Sequence, residues 1–194
     1  MTDLKDIRAF AFDVDGIFTD GSVISLDNGE LLRVFNAKDS FAIRTAVLAG
    51  FKIAIITGGC SNSIVSRFQT LNIPKENIFL LSKDKLTDLK HFCEHNNLRL
   101  SDVAFAGDDM PDVPAIKAAG LGICPADACI EAREAADWIS PIKGGHLFVR
   151  DFVERVLKIQ NKWHFDPHRE WGFSYPDKIA SLANQTGRRM ESND

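Results

Sequence analysis

Four short clusters stand out for the chemistry their residues could do: Asp13-Val14-Asp15-Gly16, Thr57-Gly58-Gly59, Lys83-Asp84-Lys85 and Gly107-Asp108-Asp109, with Asp112 one turn further on. Asp13 and Asp15 alternate around Val14, so an extended backbone points both carboxylates the same way. Two carboxylates at that spacing repel unless a cation or a proton intervenes. Asp108 and Asp109 add negative charge from a second place in the chain. An oxygen-rich set of this kind suits Mg²⁺, which takes carboxylates, carbonyls and retained waters. Such a metal could hold a phosphate and screen its approach to a carboxylate nucleophile. Thr57 and the N–H groups near Gly58 and Gly59 could donate to phosphate oxygens beside a helix start. Lys85 could bring positive charge to a transferring group.

Singly, each cluster has a plainer reading. Asp-X-Asp-Gly is usually a turn, Thr-Gly-Gly a loop, Lys85 a solvated helix residue, and Gly-Asp-Asp a helix cap. Their order is what asks for a common explanation, because each falls where a strand passes into a helix.

The positioning elements follow from hydrophobic patterning. Apolar runs predict strands at 7–14, 51–57, 78–81, 103–106, 121–124 and 138–139. Amphipathic stretches predict helices at 39–49, 61–71, 85–95, 111–119, 129–135 and 146–160. Segments 22–26 and 30–35 flank Asp27-Asn28-Gly29 and predict a β-hairpin. The alternation implies an α/β fold, a mostly parallel sheet flanked by helices on both faces. In such sheets ligands bind outside the carboxyl ends of strands, where the four clusters lie.

Length and charge narrow the options. The chain has 194 residues, enough for one domain with a sizeable core. Twenty-three Lys and Arg against 27 Asp and Glu give a net charge of -4, which argues against general nucleic-acid or membrane-surface binding. No apolar run approaches the roughly 18–20 residues of a membrane span. The start, Met1 to Asp6, is too polar for a secretory signal. Cys60, Cys93, Cys124 and Cys129 lack metal-site spacing, so reduced thiols in a cytoplasm are expected.

The ordered set resembles the haloacid dehalogenase superfamily of phosphotransferases, which implies a Rossmann-like fold. By that resemblance Asp13 matches the nucleophile, Asp15 the general acid/base, Thr57 the phosphate-binding hydroxyl, Lys85 the phosphate-stabilising lysine and Asp108 a metal ligand. Mg²⁺ would be held by Asp13, the backbone carbonyl of Asp15 and Asp108, with Asp109 or Asp112 orienting the metal's waters. Relatives acting on small molecules often insert a cap domain between these motifs. Here the intervals 13 to 57 and 57 to 85 are consumed by the hairpin, two helices and the predicted strands 51–57 and 78–81, leaving the hairpin, about 22–35, in place of a cap. A capless subunit leaves a phosphoenzyme open to solvent unless the substrate is large or another subunit covers it.

The stretches Phe12 to Gly21, Phe35-Asn36-Ala37-Lys38-Asp39-Ser40, Ile55 to Gly59 and Gly107-Asp108-Asp109 resemble more narrowly the 3-deoxy-D-manno-octulosonate 8-phosphate phosphatases, over about residues 7–160. That likeness implies a sugar-acid phosphate as substrate and a homotetramer whose hairpins assemble it and whose subunits complete one another's sites. It carries substrate contacts onto Asn36, Lys38, Asp39, Ser40, Arg44, Gly58, Gly59 and Arg67, besides Lys85. Gly59 departs from the family, which often has arginine there, and opens the question of an eight- or a nine-carbon ulosonate phosphate. A phosphoryl receiver and a non-catalytic scaffold are the readings outside enzymology. Residues 1–162 are expected to form the phosphatase domain and 163–194 an irregular tail.

Overall fold

Strand β1 (Ala9–Phe12) shows why the sheet is central. Its sequence, Ala-Phe-Ala-Phe, is buried throughout, with Phe10 and Phe12 entering one layer and Ala9 and Ala11 the other. A strand buried on both faces needs parallel neighbours and helices above and below. A computed structural model describes residues 3–164 and 166–168 and places β1 between β4 (Lys52–Ile56) and β6 (Val103–Ala106), parallel to both. With β5 (Ile78–Phe79), β7 (Leu121–Cys124) and β8 (Trp138–Ile139) the sheet runs β5-β4-β1-β6-β7-β8, every pair parallel.

Helices α1 (Ala37–Leu48), α2 (Asn62–Gln69) and α6 (Phe148–Ile159) cover the phenylalanine face. There Phe152 meets Phe10 edge-on, with ring centroids 5.7 Å apart. Helices α3 (Lys85–His95), α4 (Val113–Ala118) and α5 (Ile130–Ala135) cover the other face, where Ala9, Ala11 and Ala54 are small enough to let them approach. The chain leaves β1 toward β4 and β5, then returns to the opposite side of β1 to add β6, β7 and β8. The strand order therefore reverses between β1 and β6, and this crevice is where ligands bind in sheets of this kind.

The predicted elements are present, several with ends trimmed by one or two residues, and three differences have local causes. Helix α1 begins at Ala37, two residues early, because the Asn36 side chain accepts the Lys38 N–H at 2.9 Å and caps it. The helix expected over 111–119 is a 3₁₀ turn at Met110–Asp112 followed by α4. The hairpin keeps only β2 (Ile24–Ser25) and β3 (Leu31–Leu32), against expected strands at 22–26 and 30–35. It projects with Val23, Ile24, Leu32 and Val34 exposed, Val34 at 80%, so lengthening the ribbon would bury nothing.

Among the described residues no helix is long and apolar enough to cross a membrane. The four cysteines are free. Trp163 packs edge-on against Phe41 at 6.1 Å, with the Arg150 guanidinium 4.6 Å from its ring centre. Most of the expected tail, 169–194 with Trp171 and Tyr175, lies outside the described residues.

Candidate active site

The β1 ladder continues one residue past the strand, the Asp13 N–H donating to the Ala106 carbonyl at 3.0 Å. That bond sets Asp13 at the mouth of the crevice, opposite Asp108 two residues beyond β6. Gly16 permits the closeness: a Cβ there would lie 2.0 Å from Asp108 Oδ2, and its φ of +78° is left-handed. Lys85 arrives from the third direction. Asp84 caps α3 by accepting the Thr87 N–H at 3.1 Å, which makes Lys85 the first helical residue. A cation at a helix N-terminus opposes the helix dipole. Two carboxylates offset that cost, Lys85 Nζ lying 3.0 Å from Asp13 and 2.5 Å from Asp112.

Asp112 is fully buried and both of its oxygens are engaged. Oδ1 faces Lys85, while Oδ2 accepts the backbone N–H groups of Asp108 at 3.0 Å and Asp109 at 3.1 Å. It thus shapes the loop that carries Asp108. Asp109 is exposed and its carboxylate accepts the Met110 N–H at 2.8 Å.

Charge in this cluster is unbalanced. Single oxygens of Asp13, Asp108 and Asp112 lie within 4.8 Å of one another. Burial first, then the Asp112 charge, pushes the Asp13 carboxyl up to about 6, against the pull of Lys85. Burial, then the charges of Asp13 and Asp112, pushes Asp108 up to about 7. Burial works to lower Lys85, but Asp13 and Asp112 outweigh it and hold the amine above the ordinary lysine range. Three close carboxylates against one ammonium, all oxygen donors, fit a small divalent cation such as Mg²⁺.

A cleft of about 410 Å³ opens over this cluster. Asp13, Asp15, Thr57, Gly58, Gly59, Lys85, Asp108, Asp109 and Asp112 all line it. Thr57 and Gly59 are tied to the next strand's end: Thr57 N–H bonds the Phe79 carbonyl at 2.9 Å, and Leu81 N–H the Gly59 carbonyl at 3.0 Å. Within the loop Gly59 N–H donates to Thr57 Oγ1 at 3.1 Å.

Six expected substrate contacts are placed elsewhere. Asn36, Lys38, Asp39, Ser40, Arg44 and Arg67 do not line the cleft of their own chain. Asn36 caps α1. Asp39 is fully buried and accepts the Arg150 N–H of α6 at 2.8 Å, so it cannot reach a ligand in that cleft. Ser40 donates to the Asn36 carbonyl at 3.2 Å and accepts from Arg67, whose guanidinium lies 5.9 Å from the Phe35 ring centre. Lys38 is exposed and Arg44 half-buried on α1.

Two residues given no role by the sequence are tied to the cleft, one on its lining and one bonded to its wall. Ser82 lines it and donates to Asp88 at 2.5 Å. Arg33, just past β3, grips Asp15 with both arms of its fork, Nε to Oδ1 at 2.7 Å and Nη2 to Oδ2 at 2.9 Å. Alternation along 31–35 places Arg33 with Leu31 and Phe35, and that was the available signal.

A parallel sheet whose switch point gathers carboxylates around a buried lysine places the chain in the class of Rossmann-like hydrolases of phosphate monoesters. The sequence profile of haloacid dehalogenase-like hydrolases matches residues 60–143. The 3-deoxy-D-manno-octulosonate 8-phosphate phosphatase of Salmonella typhi is 33% identical over 162 residues, 84% of this chain and 85% of the relative. That of Escherichia coli K12 is 33% identical over 81% of this chain and 83% of the relative. The Moraxella catarrhalis phosphatase of the same name, solved with magnesium, phosphate and KDO, superposes with a TM-score of 0.78 at 36% identity, covering 81% of this chain and 90% of that one. The cobalt-bound Haemophilus influenzae structure has a TM-score of 0.78 at 29% identity, covering 81% and 91%. The chain belongs to the haloacid dehalogenase-like hydrolases, in the family of 3-deoxy-D-manno-octulosonate 8-phosphate phosphatases.

Proposed function

We propose that this chain is a Mg²⁺-dependent phosphatase that hydrolyses 3-deoxy-D-manno-octulosonate 8-phosphate to 3-deoxy-D-manno-octulosonate and phosphate. The observation that carries the reading is Lys85 set between Asp13 and Asp112, with Asp108 beside them, at the floor of an open cleft. The Asp13 carboxylate attacks phosphorus, and its new O–P bond forms as the bond from phosphorus to the sugar oxygen breaks. Asp15, at the cleft wall, gives a proton to the departing oxygen. In the second half Asp15 takes a proton from the water that attacks the aspartyl-phosphate, and phosphate leaves with Asp13 regenerated. Lys85, the Thr57 hydroxyl and the Gly58 N–H hold the phosphate oxygens. Asp13, Asp108 and the Asp15 carbonyl would hold Mg²⁺, which would supply positive charge at the phosphate-binding end of the cleft. Asp109, exposed at the rim, would orient the waters of such a metal, while Asp112 acts through the loop it braces.

Residues 1–162 form the catalytic unit, with the hairpin in place of a cap and 163–194 as a tail. Four copies associate through the exposed hairpin apolar side chains, and Lys38 and Arg44 then meet substrate only across that assembly. The acidic charge and free thiols suit the cytoplasm.

One preparation tests this. With Mg²⁺ the wild-type chain, at the solution mass of four copies, releases phosphate from the eight-carbon ester with higher kcat/KM than from a nine-carbon ulosonate 9-phosphate. Asp13→Asn lowers that release by about 10³-fold or more. Near-normal turnover by Asp13→Asn overturns the mechanism, and a preference for nine carbons reassigns the substrate.

A further inference from the structure

Arg33 meets Asp15 in a contact unlike a surface ion pair. Its Nε and Nη2 donate to the two oxygens of Asp15, at 2.7 and 2.9 Å, so the carboxylate cannot turn without breaking a bond. The two side chains differ in exposure, 4% for Arg33 and 34% for Asp15. Asp15 lines the cleft, whereas Arg33 does not. A carboxylate offers about four lone-pair sites and the fork occupies two, which leaves the others to exchange a proton with a ligand in the cleft.

The guanidinium is itself held in place. Phe35, on the same side of the chain as Arg33, packs edge-on against Phe68 of α2, with ring centroids 5.8 Å apart. A Cβ on Gly59 would stand 3.3 Å from Arg33 Nη2 and 3.0 Å from Ile64 Cδ1, tighter than side chains normally pack. Glycine at 59, where the family often has arginine, thus leaves the guanidinium its room. Stability does not account for the arrangement. Arg33 Nη1 is buried without a hydrogen-bond partner, which is unfavourable. Apolar side chains in place of a buried ion pair are often as stable or more so. What the pair secures is the orientation of Asp15. Resting on the functional reading above, in which Asp15 transfers the proton, we propose that Arg33 is a positioning residue of the reaction. It fixes the Asp15 carboxylate so that its free lone pairs face first the departing sugar oxygen and then the attacking water. Arg33 touches neither sugar nor phosphate and acts through Asp15 alone.

A double-variant cycle separates this role from a structural one. With Mg²⁺, kcat and KM for phosphate release from the eight-carbon ester are measured for wild type, Asp15→Asn, Arg33→Gln and the double variant. Loss of the acid/base lowers kcat by about 100-fold or more in Asp15→Asn, and loss of its orientation by about 10-fold or more in Arg33→Gln. KM in Arg33→Gln stays within about 2-fold of wild type, because no substrate contact is removed. On top of Asp15→Asn the Arg33→Gln change costs nothing further, whereas damage to the fold would multiply the two losses. Arg33→Lys, which keeps the charge without the fork, retains more activity than Arg33→Gln. The second readout is para-nitrophenyl phosphate, whose leaving group departs without a proton: nitrophenolate release in the first turnover of Arg33→Gln stays within about 3-fold of wild type. If Arg33→Gln does not fold, the cycle is run with Arg33→Lys. Losses that multiply, a first turnover slowed as much as kcat on the sugar ester, or an unchanged kcat overturns the assignment. Full turnover by Asp15→Asn overturns instead the role of Asp15, and wild-type chain that releases phosphate from neither ester overturns the functional reading itself.

Discussion

Asp13 and Asp39 are both buried carboxyls raised to about 6, and in both burial is the leading cause. Their surroundings differ in kind. Around Asp13 stand two further carboxylates, a buried ammonium and a cleft of about 410 Å³. Around Asp39 the chain closes completely: Oδ1 takes the Arg150 N–H, and Oδ2 is buried without a hydrogen bond. The second-ranked causes separate the two. A like charge raises Asp13 further, whereas a backbone hydrogen bond lowers Asp39. A raised carboxyl is therefore not by itself a sign of chemistry. Competition among several charged groups facing a common opening is the sign, because only there can a bound cation or phosphate relieve the repulsion.

The largest expected effect tests the first half of that contrast. Asp112→Asn places an amide N–H against Lys85 and leaves that ammonium only Asp13 as partner. Denaturant unfolding should show a loss of roughly 3 kcal/mol. Phosphate release should fall by roughly 100-fold as the loop carrying Asp108 shifts. Normal activity in that variant would make the cluster as inert as the surroundings of Asp39.

Asp39→Asn should move stability the other way and leave kcat alone. The folded-state carboxyl lies near 6 against an ordinary 3.8, so folding takes up a proton between those values. The wild-type chain is then fully stable with respect to this group below about pH 4 and loses that contribution as pH rises through 6. An asparagine keeps an oxygen for the Arg150 N–H and carries no charge. Thermal melts should coincide near pH 4 and diverge above pH 6 in favour of the variant, by no more than about 3 kcal/mol. A variant less stable at pH 7.5, or one with KM raised several-fold, would return Asp39 to the site.

Ser40→Ala is the mildest probe. It deletes a hydroxyl that bonds the Asn36 carbonyl and receives Arg67. Unfolding should cost about 1 kcal/mol with KM unchanged. A raised KM with unchanged melting would show that the α1 start touches substrate across a subunit boundary.

Several features were legible before any fold was known. The phenylalanine and alanine alternation of 9–12 identifies a strand buried on both faces. The apolar runs 51–57, 103–106 and 121–124 announce its parallel companions, and the acids just past 12 and 106 announce the switch point. Other features were not legible, because they depend on distant returns of the chain. Asp39 looked like a substrate contact until α6, 111 positions later, came to lie on it. Arg33 looked like one more hairpin residue until the ribbon folded back 18 positions onto Asp15. The hairpin's short strands reflect apolar side chains that find no surface within their own subunit.

The sequence by itself determined which residue types stand at each strand end, since period-2 burial and helix caps are local and need only neighbouring residues to be read. The tertiary structure alone decided which of those charges meet. Coulombic and hydrogen-bond energies depend on distance through space, and 3.0 Å between Lys85 and Asp13 or 2.7 Å between Arg33 and Asp15 has no counterpart in positions along the chain.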